Sequence, residues 1–458
     1  MQPTVLVWFR QDLRLADNPA LQAAVASGAR VVPVYVWSPD EEGGWAPGAA
    51  SRWWLHQSLQ ALDASLRERG SQLVLRHGPA LQTLLQLARD TGSSTLYFNR
   101  RYEPAAVAIE NLLRDALPAA GVAVHSSQSA LLREPWELRT GSGGPYQVFT
   151  PYWRCFLRDL AVAAPQSSPA TLPAPVQWPD ALPLEALQLL PRLRWYDSLT
   201  AHWTPGEAAA RERLLNFGRG GLADYAQARD LPGVDGTSRL SPHLHYGEVS
   251  PRQVWAAIGK ASERNGDSTW REGRYVAELV WREYAAHVLH HFPQLPERPK
   301  NVAFERLAWR QDAQQLRAWQ QGRTGIALVD AGMRELWQSG FMHNRVRMIA
   351  ASLLVKNLLL PWQDGERWFW DTLVDADLAS NALGWQWVAG TGPDAAPFFR
   401  IFNPDTQAQK FDPEGTYRRR WLPGAAVGSA MAPIVDLKQS RQRALDAHLA
   451  LRQTPAAG

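Results

Sequence analysis

The first 128 residues alternate between short β-branched runs and stretches of helical spacing. TVLVWF (4–9), VVPVYVW (31–37), QLVLR (72–76), TLYFN (95–99) and VAVHS (122–126) are brief, strongly apolar and bounded by polar or turn residues, as buried strands are. Between them, helical patterns run over 19–26, 51–69 (stopped by Gly70), 79–90 and 104–117. Such alternation predicts βαβ units and a parallel sheet with both faces covered. No G-x-G-x-x-G follows the first strand, so a standard dinucleotide-binding role for this α/β domain is unsupported.

The pattern changes twice more. Residues 129–204 are turn-rich, and APQSSPATLPAPVQWPDALP (164–183) reads as an extended, surface-lying interdomain linker. From 205 to 458 the spacing is helical throughout, in EAAARERLLNF, SPRQVWAAI, GRYVAELVWREYAAHVLHHF, DAQQLRAWQQG, IALVDAGMRELWQSG, RVRMIAASLLVKNLLL and GERWFWDTLV. The second domain should be all-α, with functional residues set into helices and the loops between them. No internal repeat is present.

Composition narrows the chemistry. The single cysteine, Cys155, excludes internal disulfides and any four-cysteine metal or iron–sulfur site within one chain, and suits a reducing cytoplasm. There is no secretory layout at the N-terminus. The most apolar stretch, LLVKNLLLPW (353–362), is broken by Lys356, Asn357 and Pro361, short of the ~18 apolar residues that a membrane span needs. A net charge of +4 permits an anionic partner without requiring one. The 22 tryptophans are the sharper anomaly, because each large ring must be packed and each N–H partnered, which raises stacking and electron transfer as uses.

Four segments of the helical domain concentrate polar and aromatic side chains. TSRLSPHLHYGEVSPRQVW (237–255) places hydroxyls and an arginine ahead of a helical pattern, which suits either a bound phosphate or ordinary N-capping. ELVWREYAAH (278–287) spaces Glu278, Trp281 and Arg282 at i, i+3 and i+4, on one helix face. That face could grip a planar heterocycle, or it could be a core Trp beside a surface ion pair. GFMHNRVRMIA (340–350) sets Asn344 and Met348 one turn apart and sends Arg345 and Arg347 to different sides. DADLASNALGWQWVAGTGPDAAPFFRIFNP (375–404) crowds two carboxylates, an Asn, a W-x-W and a Gly/Pro loop together, a mixture that a purely structural segment rarely needs.

Together with LVWFRQDLRLADN (6–18), PGAASRWWLHQSL (47–59), GRTGIALVDAGMRELWQSGFMHNRVRM and YRRRWLP (417–423), these segments resemble the photolyase/cryptochrome family over nearly the whole chain. They look particularly like the bacterial class III cyclobutane pyrimidine dimer photolyases, relatives of plant cryptochromes. The resemblance implies a U-shaped FAD in the helical domain. Tyr225, Thr237, Ser238, Arg239, Leu240 and Ser241 would hold its phosphates, with Tyr275 where many relatives carry a Trp. Asp375, Ala376 and Asp377 would line its ribityl and adenine side, Arg347 would pair with Asp375, and Asn381 would face flavin N5.

An excited, reduced flavin would pass one electron to a pyrimidine dimer in damaged DNA and recover it after ring opening, with no metal and no protein nucleophile. Glu278 would hydrogen-bond the pyrimidine edge. Trp281 and Trp387 would stack on the flipped-out dimer, Met348 would fill the pocket beside it, and Arg282 and Asn344 would belong to the same surface. Arg229, Arg345, Arg400 and Gln407 are candidates for backbone contacts. Trp385, Trp362 and Trp309 fall at the positions of the family's electron-transfer chain, where core packing is the plain alternative. Trp45 and Glu103 are candidates for a methenyltetrahydrofolate antenna site in the α/β domain. The protein would act as a monomer in the bacterial cytoplasm.

Three other functions compete. A cryptochrome-type photoreceptor is disfavoured by Asn381, where plant cryptochromes carry Asp, and by the retained Trp281, Trp387 and Met348. The absence of a signalling tail beyond Gly458 points the same way. Repair of (6-4) photoproducts needs a pocket histidine where this chain has Asn344 and Met348. A plain nucleic-acid-binding module would bind no flavin.

Overall fold

The computed structural model describes residues 2–423 and 431–453. Five strands form one parallel sheet: β1 (Thr4–Phe9), β2 (Arg30–Trp37), β3 (Val74–His77), β4 (Ser93–Asn99) and β5 (Ala123–Ser127). Their order is β3-β2-β1-β4-β5. The central strands are buried on both faces, which is why β1 and β2 read as unbroken apolar runs. Leu6, Trp8, Val32 and Val34 pack into one apolar cluster; Val5, Val7, Phe9, Val31 and Tyr35 pack into another. The strand order reverses direction between β1 and β4, and the crevice at their carboxyl ends is where such sheets bind ligands. Element edges differ modestly from the sequence pattern. The helix expected over 51–69 is Ala49–Arg67, and the strand expected from 72 begins at Val74.

The stretch read as a linker does more than connect. It contains a helix, Phe149–Leu157, that the turn-rich composition concealed. Its extended part is bonded to the α/β domain through Val31 N to Pro173 O at 2.7 Å, Leu172 N to Arg69 O at 3.0 Å and Leu182 N to Leu75 O at 3.0 Å. Leu172, Leu187 and Leu189 are buried in that domain's core.

Among the described residues, no strand lies beyond residue 204. The expected helices are present, including Arg274–His291, Ala327–Ser339, Trp362–Thr372 and Leu378–Ala389. The run RVRMIAASLLVKNLLL does not form one regular helix. An α-helix over Asn344–Ser352 passes into a π-helical turn over Leu353–Asn357, and Leu359 then takes a left-handed φ of 57°. A further helix, Leu437–Gln453, closes over this turn, with Asn357 Nδ2 donating to Ser440 Oγ at 2.9 Å.

The two domains meet through closely fitted backbone. Leu13 N donates to Tyr246 O at 3.0 Å, Arg14 Nη1 to Gly247 O at 2.8 Å and Tyr246 Oη to Ser51 O at 2.7 Å. Gly247 has φ +62°, and a Cβ there would lie 2.1 Å from Gln11 O. Only glycine tolerates both conditions. Gly247→Ala should therefore lower the stability of the folded protein by about 1–3 kcal/mol, read as a lower urea midpoint; an unchanged midpoint would show that this contact can relax freely.

Candidate active site

The Leu378–Ala389 helix carries the densest set of predicted residues, and its orientation is set by polar bonds at both ends and along its sides. Asp377 caps its start, accepting from Ser380 N at 2.8 Å. Burial alone would raise the Asp377 carboxyl, but neighbouring His245 and Arg282 pull it below the usual carboxylate range. At the other end, the buried Lys356 donates to Ala389 O at 2.7 Å, and burial pulls its ammonium pKa down. Gln386 donates to Leu295 O and Arg298 O at 2.6 and 2.8 Å and accepts from Lys300 N at 2.9 Å. Asn381 Nδ2 donates to Glu366 O at 3.0 Å, which leaves its carbonyl oxygen as the free acceptor.

A cavity of about 200 Å³ opens beside this helix. Asn344, Arg347, Met348, Asp375, Ala376, Asp377, Asn381 and Trp385 line it, so residues expected on the flavin and on the dimer share one space. Arg347 Nη2 donates to both oxygens of Asp375 at 3.0 and 2.9 Å, while its Nε donates to Met342 O at 2.6 Å. Arg345 turns the other way, to Asp230 at 2.7 Å, with its guanidinium 4.5 Å from the Phe411 ring centre. The cavity thus offers an amide, a carboxylate–guanidinium pair and an indole edge, a donor set that fits a planar heterocycle with a hydrogen-bonding rim.

The TSRLS segment reaches the same carboxylate. Ser241 Oγ donates to Asp375 Oδ2 at 2.6 Å, and Tyr275 Oη donates to Ser238 Oγ at 3.1 Å. Arg239 holds a left-handed φ of 49° and lies over Phe341. Tyr225 is buried edge-on to Tyr275 at 5.0 Å, and Leu240 is buried. Thr237 lies on the loop between them.

On the Arg274–His291 helix, Glu278 is ion-paired with Arg229. Trp281 is half-buried, its ring parallel to that of Phe149 at 3.7 Å between centroids. Arg282 corrects the shared-face expectation. Its guanidinium donates to Ala130 O and Leu244 O, bracing the segment that leaves the sheet, and it lines a small interdomain cavity with Arg101, Glu103 and Asp377. Regular spacing sets the Cβ direction, but a long side chain goes where unpaired carbonyls are. Arg400 lies 5.8 Å over the half-buried Trp387, and Gln407 is half-buried on the Pro404–Phe411 helix.

Trp385 and Trp362 are 3% and 1% exposed in one apolar cluster, with half-buried Trp309 packed against it. Gly365 permits the first of these positions, since a Cβ there would stand 2.1 Å from the Trp385 ring.

A second cavity, about 270 Å³, lies at the carboxyl ends of β1 and β2 and beside the chain that follows β4. Trp45 and Glu103 both line it. Trp45 is not an exposed loop residue. It is buried, donates to Glu297 Oε1 at 2.7 Å and meets Trp370 edge-on at 5.5 Å. Burial would raise Glu103, but Arg101 at 3.2 Å wins and holds it below the usual range. Arg101 also pairs with Glu42 at 2.6 Å.

The family model described as DNA photolyase matches residues 5–174, and that described as the FAD binding domain of DNA photolyase matches 275–430. The chain belongs to the photolyase family. A photolyase relative, the deoxyribodipyrimidine photo-lyase of Agrobacterium fabrum, is 45% identical over 98% of each chain. Cryptochrome-1 of Arabidopsis thaliana is 41% identical over 91% of this chain and 62% of its own length. Among solved structures, a bacterial class III photolyase from Agrobacterium tumefaciens superposes with a TM-score of 0.94 at 45% identity, covering 99% of this chain and 98% of that one. The fold, the family and an FAD-binding helical domain are thereby shown. Among the described residues of this photolyase-family chain, no cluster of His, Cys, Asp or Glu is placed to hold a metal, and no helix is long and apolar enough to cross a membrane.

Sequence reasoning missed Phe149 and the ion pairs that occupy Arg229 and Arg345. It set His343 aside as a possible pocket histidine but not as a cap; His343 caps the Asn344–Ser352 helix by accepting from Arg345 N at 3.2 Å. Burial pulls His343 down to about 4, with Arg347 and Arg345 adding to this and Asp230 opposing it. A histidine free in the unfolded chain titrates near 6.5. Above that pH neither state binds the proton and stability is full. As pH falls from about 6.5 towards 4 the unfolded chain takes up the proton first, and stability declines by up to about 1.4 kcal/mol per pH unit for this group. His343→Asn keeps a capping acceptor and removes the titration, so its pH–stability curve over this interval should be flatter than that of the natural protein. Parallel curves would exclude His343 as the cause.

Proposed function

We propose that this protein repairs cyclobutane pyrimidine dimers in damaged DNA by light-driven electron transfer. The observation that carries the reading is the shared cavity, in which Asn381, the Arg347–Asp375 pair and Trp385 face the same space as Asn344 and Met348. A cofactor held by the first group and a substrate touching the second would be in direct reach of each other. When bound and reduced, the flavin supplies one electron on excitation and accepts it back after the ring opens.

The chain's own residues bind, orient and polarise. Asn381 presents its carbonyl oxygen towards the flavin edge because its amide nitrogen is engaged by Glu366 O. Asp375 and Asp377, with Ser238, Arg239 and Ser241 across the cleft, hold the ribityl and phosphate portions. Trp281 and Trp387 stack on the extruded dimer, whose weakened pairing lowers the cost of flipping. Glu278 exchanges Arg229 for the pyrimidine edge, and the released Arg229 turns to a neighbouring phosphate. Arg345 must likewise leave Asp230 before it neutralises a phosphate. Trp309, Trp362 and Trp385, packed in one apolar cluster, would carry electrons from the surface towards a bound flavin in its oxidised form.

The second cavity accepts a light-harvesting group, and a folate of the methenyltetrahydrofolate class suits it. Its apolar walls of Trp37, Trp45 and Trp370 provide stacking surface, and Glu103 provides an acceptor for a pterin edge. The protein works as a monomer, and its lone half-buried cysteine suits a reducing cytoplasm.

Illumination of the reduced, flavin-loaded protein with a dimer-containing oligonucleotide should restore the monomeric pyrimidines, while a dark control should not. Glu278→Ala should lower the yield per absorbed photon several-fold more than it lowers affinity for the lesion, because a hydrogen bond to a charged group is worth about 1.5–3 kcal/mol. Flavin-loaded protein that leaves dimers intact under light would refute repair and favour the photoreceptor reading.

A further inference from the structure

The Phe149–Trp281 contact is unusual for two aromatic rings. At 3.7 Å between centroids and 6° between planes they lie face to face, the arrangement that ring quadrupoles favour least. Something other than their mutual attraction must hold them. Phe149 is buried, with Trp153 beside it at 5.8 Å and Tyr284 edge-on at 5.8 Å. One face of Trp281 is therefore closed by a ring that cannot move aside.

The chain around Phe149 is tied down on two sides. Tyr146 N donates to His287 Nε2 at 3.1 Å, and His287 Nδ1 bonds Pro135 O at 2.7 Å, so the approach to Phe149 is fixed to the helix that bears Trp281. On the other side the segment meets the loop following Trp387. Asp394 N donates to Gln147 O at 3.0 Å, two residues before Phe149. Asp394 holds a left-handed φ of 50° at this bond. Two residues on, Ala396 N donates to Trp387 O at 3.1 Å. A continuous path thus runs from the Trp281 ring through Phe149 and Asp394 to the backbone of Trp387.

We propose that Phe149 and Asp394 are positioning residues for lesion recognition: Phe149 fixes the plane of Trp281 and leaves one face open, and Asp394 holds that plane in register with Trp387. This rests on the reading of Trp281 and Trp387 as the surfaces that stack on the dimer. Neither positioning residue touches the dimer. They set the gap between two surfaces that do, and so bear on the difference between damaged and undamaged DNA rather than on the common phosphate contacts.

The test uses flavin-loaded protein, natural and variant, titrated with matched duplexes with and without a dimer, and with flavin content and visible spectrum recorded for each. Phe149→Leu keeps apolar volume and removes the flat backing. Phe149→Tyr restores the ring. Asp394→Gly tolerates the left-handed φ and keeps the N–H donor to Gln147 O, but lets the backbone at this tie move more freely. Phe149→Leu should weaken lesion binding about fivefold or more, the lower end of what base stacking contributes, with undamaged duplex changed less than about twofold and flavin content unchanged. Phe149→Tyr should recover most of the preference, and Asp394→Gly should lose part of it. Should Phe149→Leu fail to fold, Asp394→Gly carries the test alone. An unchanged lesion-to-undamaged ratio in the folded variants overturns the proposal, as does a parallel loss of both affinities together with flavin, which is what general destabilisation would give. A natural protein with no lesion preference would instead overturn the underlying assignment of Trp281 and Trp387, an outcome visible before any variant is examined.

Discussion

The Leu378–Ala389 helix has to be held at a fixed rotation, and most of the site depends on that constraint. A helix with one apolar stripe is oriented by its core. This one is buried over well more than one stripe, with Leu378, Ala382, Leu383, Trp385, Gln386 and Val388 wrapping most of its circumference and only Ser380 and Gly384 exposed. Burial alone would leave its rotation weakly specified. Directional bonds specify it instead: the Asp377 cap, Asn381 on Glu366 O, Gln386 on the Leu295–Lys300 backbone and Lys356 on Ala389 O. A buried polar group left unpaired costs about 1–3 kcal/mol, so slipping the helix would break several of these at once. Its rotation in turn decides that Asn381 faces the cavity and that Trp385 packs on Gly365.

Charge is stored in the cleft before any ligand arrives. Arg229 is held by Glu278, Arg345 by Asp230 and Arg347 by Asp375. The third pair differs in kind from the first two, because Asp375 is almost wholly buried and is also bonded by Ser241, which makes it part of the scaffold. Glu278 and Asp230 are partly exposed, so these two pairs lie more open to water than the third. They can open when a phosphate or a pyrimidine edge offers a better partner. Pairing until then spares the empty cleft an unbalanced carboxylate and lets the same arginine serve two states.

Much of the fold is legible in the sequence. The brief apolar runs at 4–9 and 31–37 are strands because a parallel sheet buries both faces, and the WRE of 281–283 and the LASN of 378–381 sit on helices, with Asp375 and Ala376 just ahead of the second and Asp377 capping it. What escaped has a common physical cause, which is contact between residues far apart in the chain. Nothing local shows that Phe149 backs Trp281, that Trp45 is covered by Trp370, or that Arg282 spends its guanidinium on Ala130 O. Composition misled at 129–204, where abundant turn residues hid the Phe149–Leu157 helix and the leucines that the extended segment buries in the α/β core. The flavin side of the site was legible as a motif, but the ion pairs that fill the substrate side were not.

The central claim is that a dimer and the flavin share the cavity beside Asn381 and Met348. A crystal structure of the flavin-loaded protein with a dimer-containing duplex tests it most directly. The account predicts the dimer extruded from the duplex into that cavity, Trp281 and Trp387 against it, Glu278 on the pyrimidine edge and Arg229 released. A lesion still stacked within the duplex, or bound elsewhere with the Arg229–Glu278 pair intact, would contradict it.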